Sequence, residues 1–361
     1  MLAHRAPPES VSLLTGIDEL ERVGGEWNAL AERRRSPFLT VDWLVSWWAA
    51  YGDGSPAIYV IHDEHGRLAG GAAFGRTGRW LGSASNEQSG EWGALAGDEP
   101  TREDVWRALA GAAPRRLRLD ELLPDEVEVA RRQLTARGFH LLRRPGMRSP
   151  YLALPGSRDA LLAGASRNLR SQFQRRRRAL EREGRLELRT VRAGADAEVA
   201  FERFLHLEAA GWKGRERTAL LTDPRLLSLH RAFARRAAAH GWLRLYLLEL
   251  DGRLLAADYG CAFGGRGFLI KTAYDERYGG LSPGLVLRGE VLGACVDEGL
   301  RGYDFLGGSE QYKLRWASEV RPREGIVGYR GGPTVPERVY WSRMRPRLKR
   351  VRDRARRATS S

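Results

Sequence analysis

The chain has 361 residues, 42% of them hydrophobic, and a formal net charge of +15 at pH 7. At about 150 residues per domain this length predicts two domains, each able to bury a core without disulfides or metals. Two cysteines exclude a disulfide framework or a Cys-rich zinc site, and the seven histidines are scattered without ligand spacing, so no metal site is expected.

The first half reads as a mixed α/β unit. Residues 12–14 form a short strand, and 17–33 form a helix with Leu20, Trp27 and Leu30 on one face. After Pro37 a second helix carries Val41, Leu44, Trp47 and Trp48, with Thr40 as its N-cap. Strands at 57–61 and 68–74 flank a His65-Gly66 turn, the signature of a hairpin. Segment 80–97, rich in Gly and Ser, has room for another strand. Helices at 102–109 and 125–137 alternate with strands at 116–119 and 139–143. Pro145, Pro150 and the Pro155-Gly156 pair mark the boundary.

The second half follows the same grammar. One long helix spans 159–183, with Leu162, Leu169, Phe173 and Leu180 in a narrow seam, and a strand follows at 185–191. Amphipathic helices at 196–210 and 224–240 precede three strands, at 243–250, 254–263 and 267–272. A helix at 283–298 is stopped by Gly299 and leads to a strand at 303–306. The turn His65-Gly66-Arg67-Leu68 matches Asp251-Gly252-Arg253-Leu254. Together with the repeated element order, that match predicts an internal duplication.

The positive charge is local. Residues 167–185 hold eight Arg against Glu181 and Glu183, and residues 338–357 hold nine Arg and Lys349 against Asp353; the remainder is neutral overall. Arg175–Arg178 is either a solvated face or a contact for an anionic acceptor, tRNA or a membrane surface. The basic tail carries an apolar stripe, Trp341, Met344, Leu348 and Val351, which suits a membrane-surface helix as well as docking on the protein itself. Residues 1–10 lack the apolar core of a secretory signal, and the apolar runs at 44–51 and 242–250 fall short of the roughly 18 residues a spanning helix needs. Cys261 and Cys295 sit in strand and helix patterns and read as buried thiols, which implies a reducing cytoplasm.

The informative stretch is K-T-A-Y-D-E-R-Y-G-G-L-S-P-G at 271–284, which links a strand to a helix. Pro283 suits the first helical turn and Ser282 the N-cap. Gly279, Gly280 and Gly284 remove side chains where the backbone must approach something closely, and Arg277 adds positive charge. The alternatives are an anion site at a helix start and a tight turn that simply needs glycine.

This pattern of strand, glycine-bearing loop, helix and strand resembles the acyl-CoA core of the GNAT acyltransferases. G-W-K-G at 211–214, the 271–284 stretch and Y-D-F-L-G-G-S-E-Q-Y-K-L-R-W at 303–316 resemble the CelD-like group, associated with polysaccharide and envelope biosynthesis and related to the FemAB-type tandem-GNAT aminoacyltransferases. The resemblance covers about 160–320 and reaches the first half through P-F-L-T-V-D-W-L at 37–44. It implies an α/β fold of two tandem GNAT-like domains: a degenerate one at 1–155 and a catalytic, acyl-CoA-binding one at 156–335, followed by a basic helix or tail at 336–361. Arg277-Tyr-Gly-Gly280-Leu-Ser282 departs from the usual R/Q-x-x-G-x-G/A loop.

The resemblance implies a donor site at Lys271, Thr272, Arg277, Tyr278, Gly279, Gly280, Leu281, Ser282 and Gly284, and an acceptor side at Glu208, Trp212, Lys213 and Tyr274. Acyl transfer needs a base, donors for the oxyanion and an acid for the leaving thiolate. Asp258 and Asp304 are the candidate bases, against a salt bridge for Asp258 and a loop hydrogen bond for Asp304. Tyr312 is the candidate acid, against packing on Trp316. Lys313 is assigned to a phosphate or the oxyanion, against simple solvation. Glu208, Trp212 and Lys213 alternatively form a plain helix end capped by Gly211, with Trp212 in the core. Three of the four lysines fall in these motifs of an otherwise arginine-rich chain, which points to a need for compact ammonium groups. The expected activity is transfer of an acyl group, acetyl foremost, from acyl-CoA to an amine or hydroxyl of an anionic or saccharide-type acceptor, without metal. The expected place is the cytoplasm, with peripheral contact to the inner membrane face. A tRNA-dependent aminoacyltransferase and a non-catalytic envelope scaffold are the alternatives.

Overall fold

The hairpins at His65-Gly66 and Asp251-Gly252 both form, and they sit at the same place in two halves built in the same order. The computed structural model describes residues 10–334, so the basic tail lies outside the described residues. In the first half β1 (Ser10–Leu14) precedes α1 (Ile17–Arg22), α2 (Gly24–Arg34) and α3 (Val41–Tyr51). Then come β2 (Ser55–His62), β3 (Leu68–Thr77), β4 (Trp80–Ser83), the two-residue β5 (Leu95–Ala96), α4 (Glu99–Ala112), β6 (Arg116–Leu122), α5 (Pro124–Ala136) and β7 (Phe139–Ala153). The second half opens with α6 (Arg158–Gly164) and α7 (Arg167–Glu183), followed by β8 (Leu186–Val191), α8 (Ala195–Ala210), α9 (Trp212–Arg215) and α10 (Pro224–Ala239). Its hairpin strands β9 (Leu243–Leu250), β10 (Arg253–Phe263) and β11 (Arg266–Tyr274) lead to α11 (Pro283–Asp297), β12 (Gly302–Asp304), α12 (Gln311–Leu314) and β13 (Glu319–Arg330). In the second hairpin Asp251 and Gly252 take φ values of 50° and 78°, the left-handed pair that fits a two-residue turn to strand twist.

One mixed sheet runs β1-β2-β3-β4-β6-β13-β7-β12-β11-β10-β9-β8, with β5 on the side of β3. Within each half, successive strands pair antiparallel until a helix crosses over to a parallel partner: β4 with β6, and β11 with β12. At the centre the two last strands are exchanged. β7 pairs with β12 of the second half, β13 pairs with β6 of the first, and they pair with each other along most of their length.

Pro145 and Pro150, read with Pro155-Gly156 as marking the boundary, lie inside the continuous strand β7, whereas Pro155-Gly156 follows its end. Pro145 lies beside a register shift opposite Glu324, where a missing N–H is tolerated. No strand was expected at 319–330. The expected helices at 17–33 and 159–183 are each split. The second restarts at Ser166, whose Oγ accepts from the Leu169 N–H at 3.2 Å.

Three cores hold the elements. One spans both halves, because α3 packs on α10: Trp43 meets Phe233 edge-on at 4.9 Å and lies 6.3 Å from His230. The second centres on Phe74, Trp92 and Trp106 of the first half and takes in Ile326 of the exchanged β13. The third packs α7 and α11 on β9–β11 through Leu169, Phe173, Val286 and Leu287. Cys261 and Cys295 are buried in them as expected.

Candidate active site

β11 and β12 pair only from Arg266/Gly302 to Phe268/Asp304. Beyond that point they diverge, and a cavity of about 740 Å³ opens between them. β11 supplies one wall, Leu269 through Tyr274; Gly279, Ser282 and the first turn of α11 close one end; Glu208–Lys213 and the 305–316 segment supply the rest. At the divergence β11 bulges: Tyr259 is opposite Lys271 and Gly260 opposite Leu269, so Ile270 has no partner. Gly260 is required there, since a Cβ would sit 2.1 Å from the Phe268 carbonyl oxygen.

The geometry of the glycine loop does not match the tight-turn alternative. Among the described residues, a Cβ placed at Gly279 or Gly280 would meet nothing within 4 Å, and one at Gly284 would meet only Tyr274 at 3.8 Å. None of the three has a positive φ. Neither backbone conformation nor packing therefore demands glycine, and the bare backbone faces open space. Ser282 occupies the N-cap position of α11 in the left-handed region (φ 55°), and its side chain makes no cap. Its carbonyl instead accepts from the Leu285 and Val286 N–H groups, and the first turn carries no acidic side chain. Arg277 does not offer a free charge, because Asp275 binds it at 2.7 and 2.9 Å. Tyr278 lies under Arg253 and Leu281 packs on the α7–α11 core, both away from the cavity. Arg176 of α7, not singled out from sequence, donates to the Gly280 carbonyl at 2.5 Å and ties the basic helix to this loop.

The lysines are held individually. Lys213 donates to Glu208 Oε1 at 2.9 Å and to the Thr272 carbonyl at 2.7 Å, and Glu208 Oε2 accepts from the Leu220 N–H. Lys313 is buried, not solvated: it contacts Glu310 at 2.8 Å and donates to the Leu306 carbonyl at 2.7 Å. Burial lowers its ammonium below the ordinary lysine range, and Glu310 opposes this. Lys271 donates to Gln88 Oε1 at 3.1 Å, a residue of the first half. Burial, then the charges on Lys213 and Lys313, bring Lys271 down to about 8, with the Glu208 and Glu87 carboxylates opposing the shift.

The candidate bases lie behind the cavity wall. Asp258 is buried against Arg288, 2.7 Å from Oδ2 and 3.1 Å from Oδ1, and Arg288 also donates to the Tyr303 hydroxyl. Arg288 itself lines the cavity and was missed; an arginine inside an apolar helix opposite a mid-strand aspartate was the available signal. Asp304 accepts from the Ser149 hydroxyl and from the Leu306 N–H at 2.9 Å, with Arg323 3.7 Å away. Tyr312 lines the cavity, and local burial raises its phenol above the ordinary value. Trp212 is 42% exposed and lines the cavity with Tyr274, so it is no core residue. Among the described residues there is no cluster of three metal-ligating side chains, and no helix is long and apolar enough to cross a membrane.

Residues 167–314 match the family model for the acetyltransferase (GNAT) domain. No protein of curated function matches the chain. Among solved structures, FemX superposes with a TM-score of 0.60 at 11% identity, over 92% of this chain and 99% of its own. A conserved protein of unknown function from Bacteroides thetaiotaomicron gives 0.58 at 12% identity, over 89% of this chain and 100% of its own. The C-terminal domain of a protein described as a lysylphosphatidylglycerol synthetase from Agrobacterium fabrum gives 0.54 at 12% identity, over 85% of this chain and 91% of its own. The chain is thus a mixed α/β protein of two tandem GNAT-like halves, and residues 167–314 of its second half match the acetyltransferase (GNAT) domain model.

Proposed function

We infer that the protein transfers an acyl group from acyl-CoA to an amine or hydroxyl, with residues 156–335 as the catalytic unit and residues 1–155 as a GNAT-like unit without a donor site. One observation carries this reading: a bare glycine loop and an uncapped helix start close one end of a cavity whose other end is the β11–β12 divergence. A pyrophosphate fits the first end, where backbone N–H groups and the positive end of the α11 dipole meet without a competing carboxylate. The thioester then reaches the divergence, where Ile270 stands unpaired in the register with β10, and its backbone N–H is the group we assign to the developing oxyanion. Tyr312 is the group we assign to protonate the leaving thiolate, and Trp212, Lys213 and Tyr274 border the acceptor. A saccharide or envelope precursor, as in the CelD-like group, is the acceptor class we favour. Calorimetry with acetyl-CoA and longer acyl-CoAs tests the donor: binding of at least one is expected, and binding of none overturns it.

A second reading is transfer from an aminoacyl-tRNA. It draws on the fold shared with FemX and on α7, where Arg167, Arg170, Arg175, Arg178 and Arg182 have no acidic partner among the described residues. It predicts RNA that co-purifies and is released by high salt. A scaffold without catalysis predicts instead that Gly280→Trp changes nothing measurable.

A further inference from the structure

Three lysines border the cavity, and their partners divide them. Lys213 and Lys313 each face a carboxylate, Glu208 and Glu310. Lys271 has only a neutral hydrogen-bond partner among the described residues, Gln88 Oε1. Gln88 comes from the other half, in the connection between β4 and α4. That connection is fixed where it crosses: the Gln88 N–H donates to Asn86 Oδ1 at 3.0 Å, and the Ser89 N–H to the Asn86 carbonyl at 2.9 Å. At Gly90 the backbone lies so close that a Cβ would stand 2.4 Å from Phe38 and 2.8 Å from Leu306, beside the cavity. The second half's site therefore includes a side chain of the first.

Lys271 stands three residues past the last β11–β12 pair and next to the bulged Ile270. Glu208 is bound to Lys213 and the Leu220 N–H, Glu310 to Lys313, and Asp258 to Arg288, while Glu87, next to Gln88, and Glu208 act on Lys271 by charge alone and raise it. A lysine beside a neutral amide keeps its lone pair when it loses a proton, because an amine still donates one N–H to the glutamine oxygen.

Resting on the acyl-CoA reading, the geometry points to Lys271 as the group that takes the acceptor's proton, with Gln88 of the first half as the positioning residue that holds its amine toward the β11–β12 divergence. The acceptor's nitrogen or oxygen bonds to the acyl carbon as its proton passes to Lys271 Nζ. The C–S bond then breaks, the electron pair leaves on sulfur, and the thiolate takes a proton from Tyr312, which is restored from the Lys271 ammonium through solvent. Neutral amine is available near physiological pH because burial and the neighbouring lysines depress Lys271.

The scarcity of lysine makes the test clean. The full chain is labelled with trace acetic anhydride between pH 6 and 10, with and without CoA, and each lysine is read by peptide mass spectrometry. Expected are a Lys271 midpoint near 8, a rise of at least one unit in Gln88→Glu, and at least tenfold slower labelling under saturating CoA. Thiol release from acetyl-CoA to hydroxylamine, a small surrogate acceptor, supplies the kinetic readout. Its lower pH limb should follow the Lys271 midpoint in both proteins, and Lys271→Met should be at least fiftyfold slower at saturating acetyl-CoA. A Lys271 midpoint at the ordinary lysine value, a limb that stays in place in Gln88→Glu, or a Lys271→Met rate within twofold of the parent overturns the inference while leaving CoA binding intact. Failure of CoA to bind by calorimetry overturns the donor reading itself.

Discussion

The connections from β4 to α4 and from β11 to α11 occupy the same place in the two halves, yet their helix starts are treated in opposite ways. At α4 the Asp98 carboxylate caps the helix, accepting from the Thr101 N–H at 2.8 Å, and Glu99 sits in the first turn. Trp92 and Trp106 pack edge-on in the adjoining core, with the Trp106 indole donating to buried Glu126. At α11 the N-cap side chain makes no bond, the first turn has no acid, and glycines face a cavity. A helix N-terminus attracts negative charge in either case. The first half meets that demand with its own carboxylates, and the second leaves it open. The first half's longer connection then serves its neighbour by delivering Gln88.

The largest effect should come from the core the halves share. Trp43→Ala removes the aromatic wedge between α3 and α10 and should cost about 3–5 kcal/mol. Far-UV and tryptophan signals should lose structure in one coincident urea transition. Two separated transitions would show that the halves are independent after all.

Ser282→Asp gives α11 the carboxylate that α4 already has, at a left-handed position that aspartate tolerates. Affinity for acetyl-CoA should fall at least a hundredfold by calorimetry, about 2.7 kcal/mol, with the melting temperature preserved or raised. An unchanged affinity would mean that α11 does not hold the anion.

Lys271→Met sharpens the account of the amine. The folded-state value lies below the ordinary one, so the protonated amine costs stability at pH 7, and the cost fades as pH rises from about 8 toward the unfolded value. The variant should be more stable by roughly 1–3 kcal/mol at pH 7 and gain progressively less as pH approaches 10. Equal gains across that range would contradict a depressed lysine. The smallest effect belongs to Asp98→Ala, a lost cap worth about 1 kcal/mol in urea unfolding. It should not create CoA binding in the first half, where Glu99 still places a carboxylate in the first turn of α4.

Much of the second half is legible in sequence because its signals are local. Gly252 punctuates a hairpin, Pro283 starts a helix, and the 271–284 stretch names its own loop. The exchanged strands are not local. Glu319–Arg330 pairs with residues some two hundred positions earlier, and its Pro322 and several arginines hide the strand pattern. Prolines in β7 read as a boundary because their tolerance depends on a register shift visible only in the sheet. In the site, Lys213, Lys271 and Lys313 stand out as rare lysines. Gln88 carries no signal of its own, since its meaning arises only when the first half's connection crosses to β11. The glycines are legible with two alternatives, an anion site and a turn that needs glycine; their ordinary φ values and the open space around a Cβ at each speak against the second.

The most direct measurement of the central claim is a calorimetric titration of the purified full chain with acetyl-CoA, repeated on Ser282→Asp. The account predicts saturable one-to-one binding to the parent and loss of at least a hundredfold in the variant. No binding of acetyl-CoA or any longer acyl-CoA to the parent would contradict it.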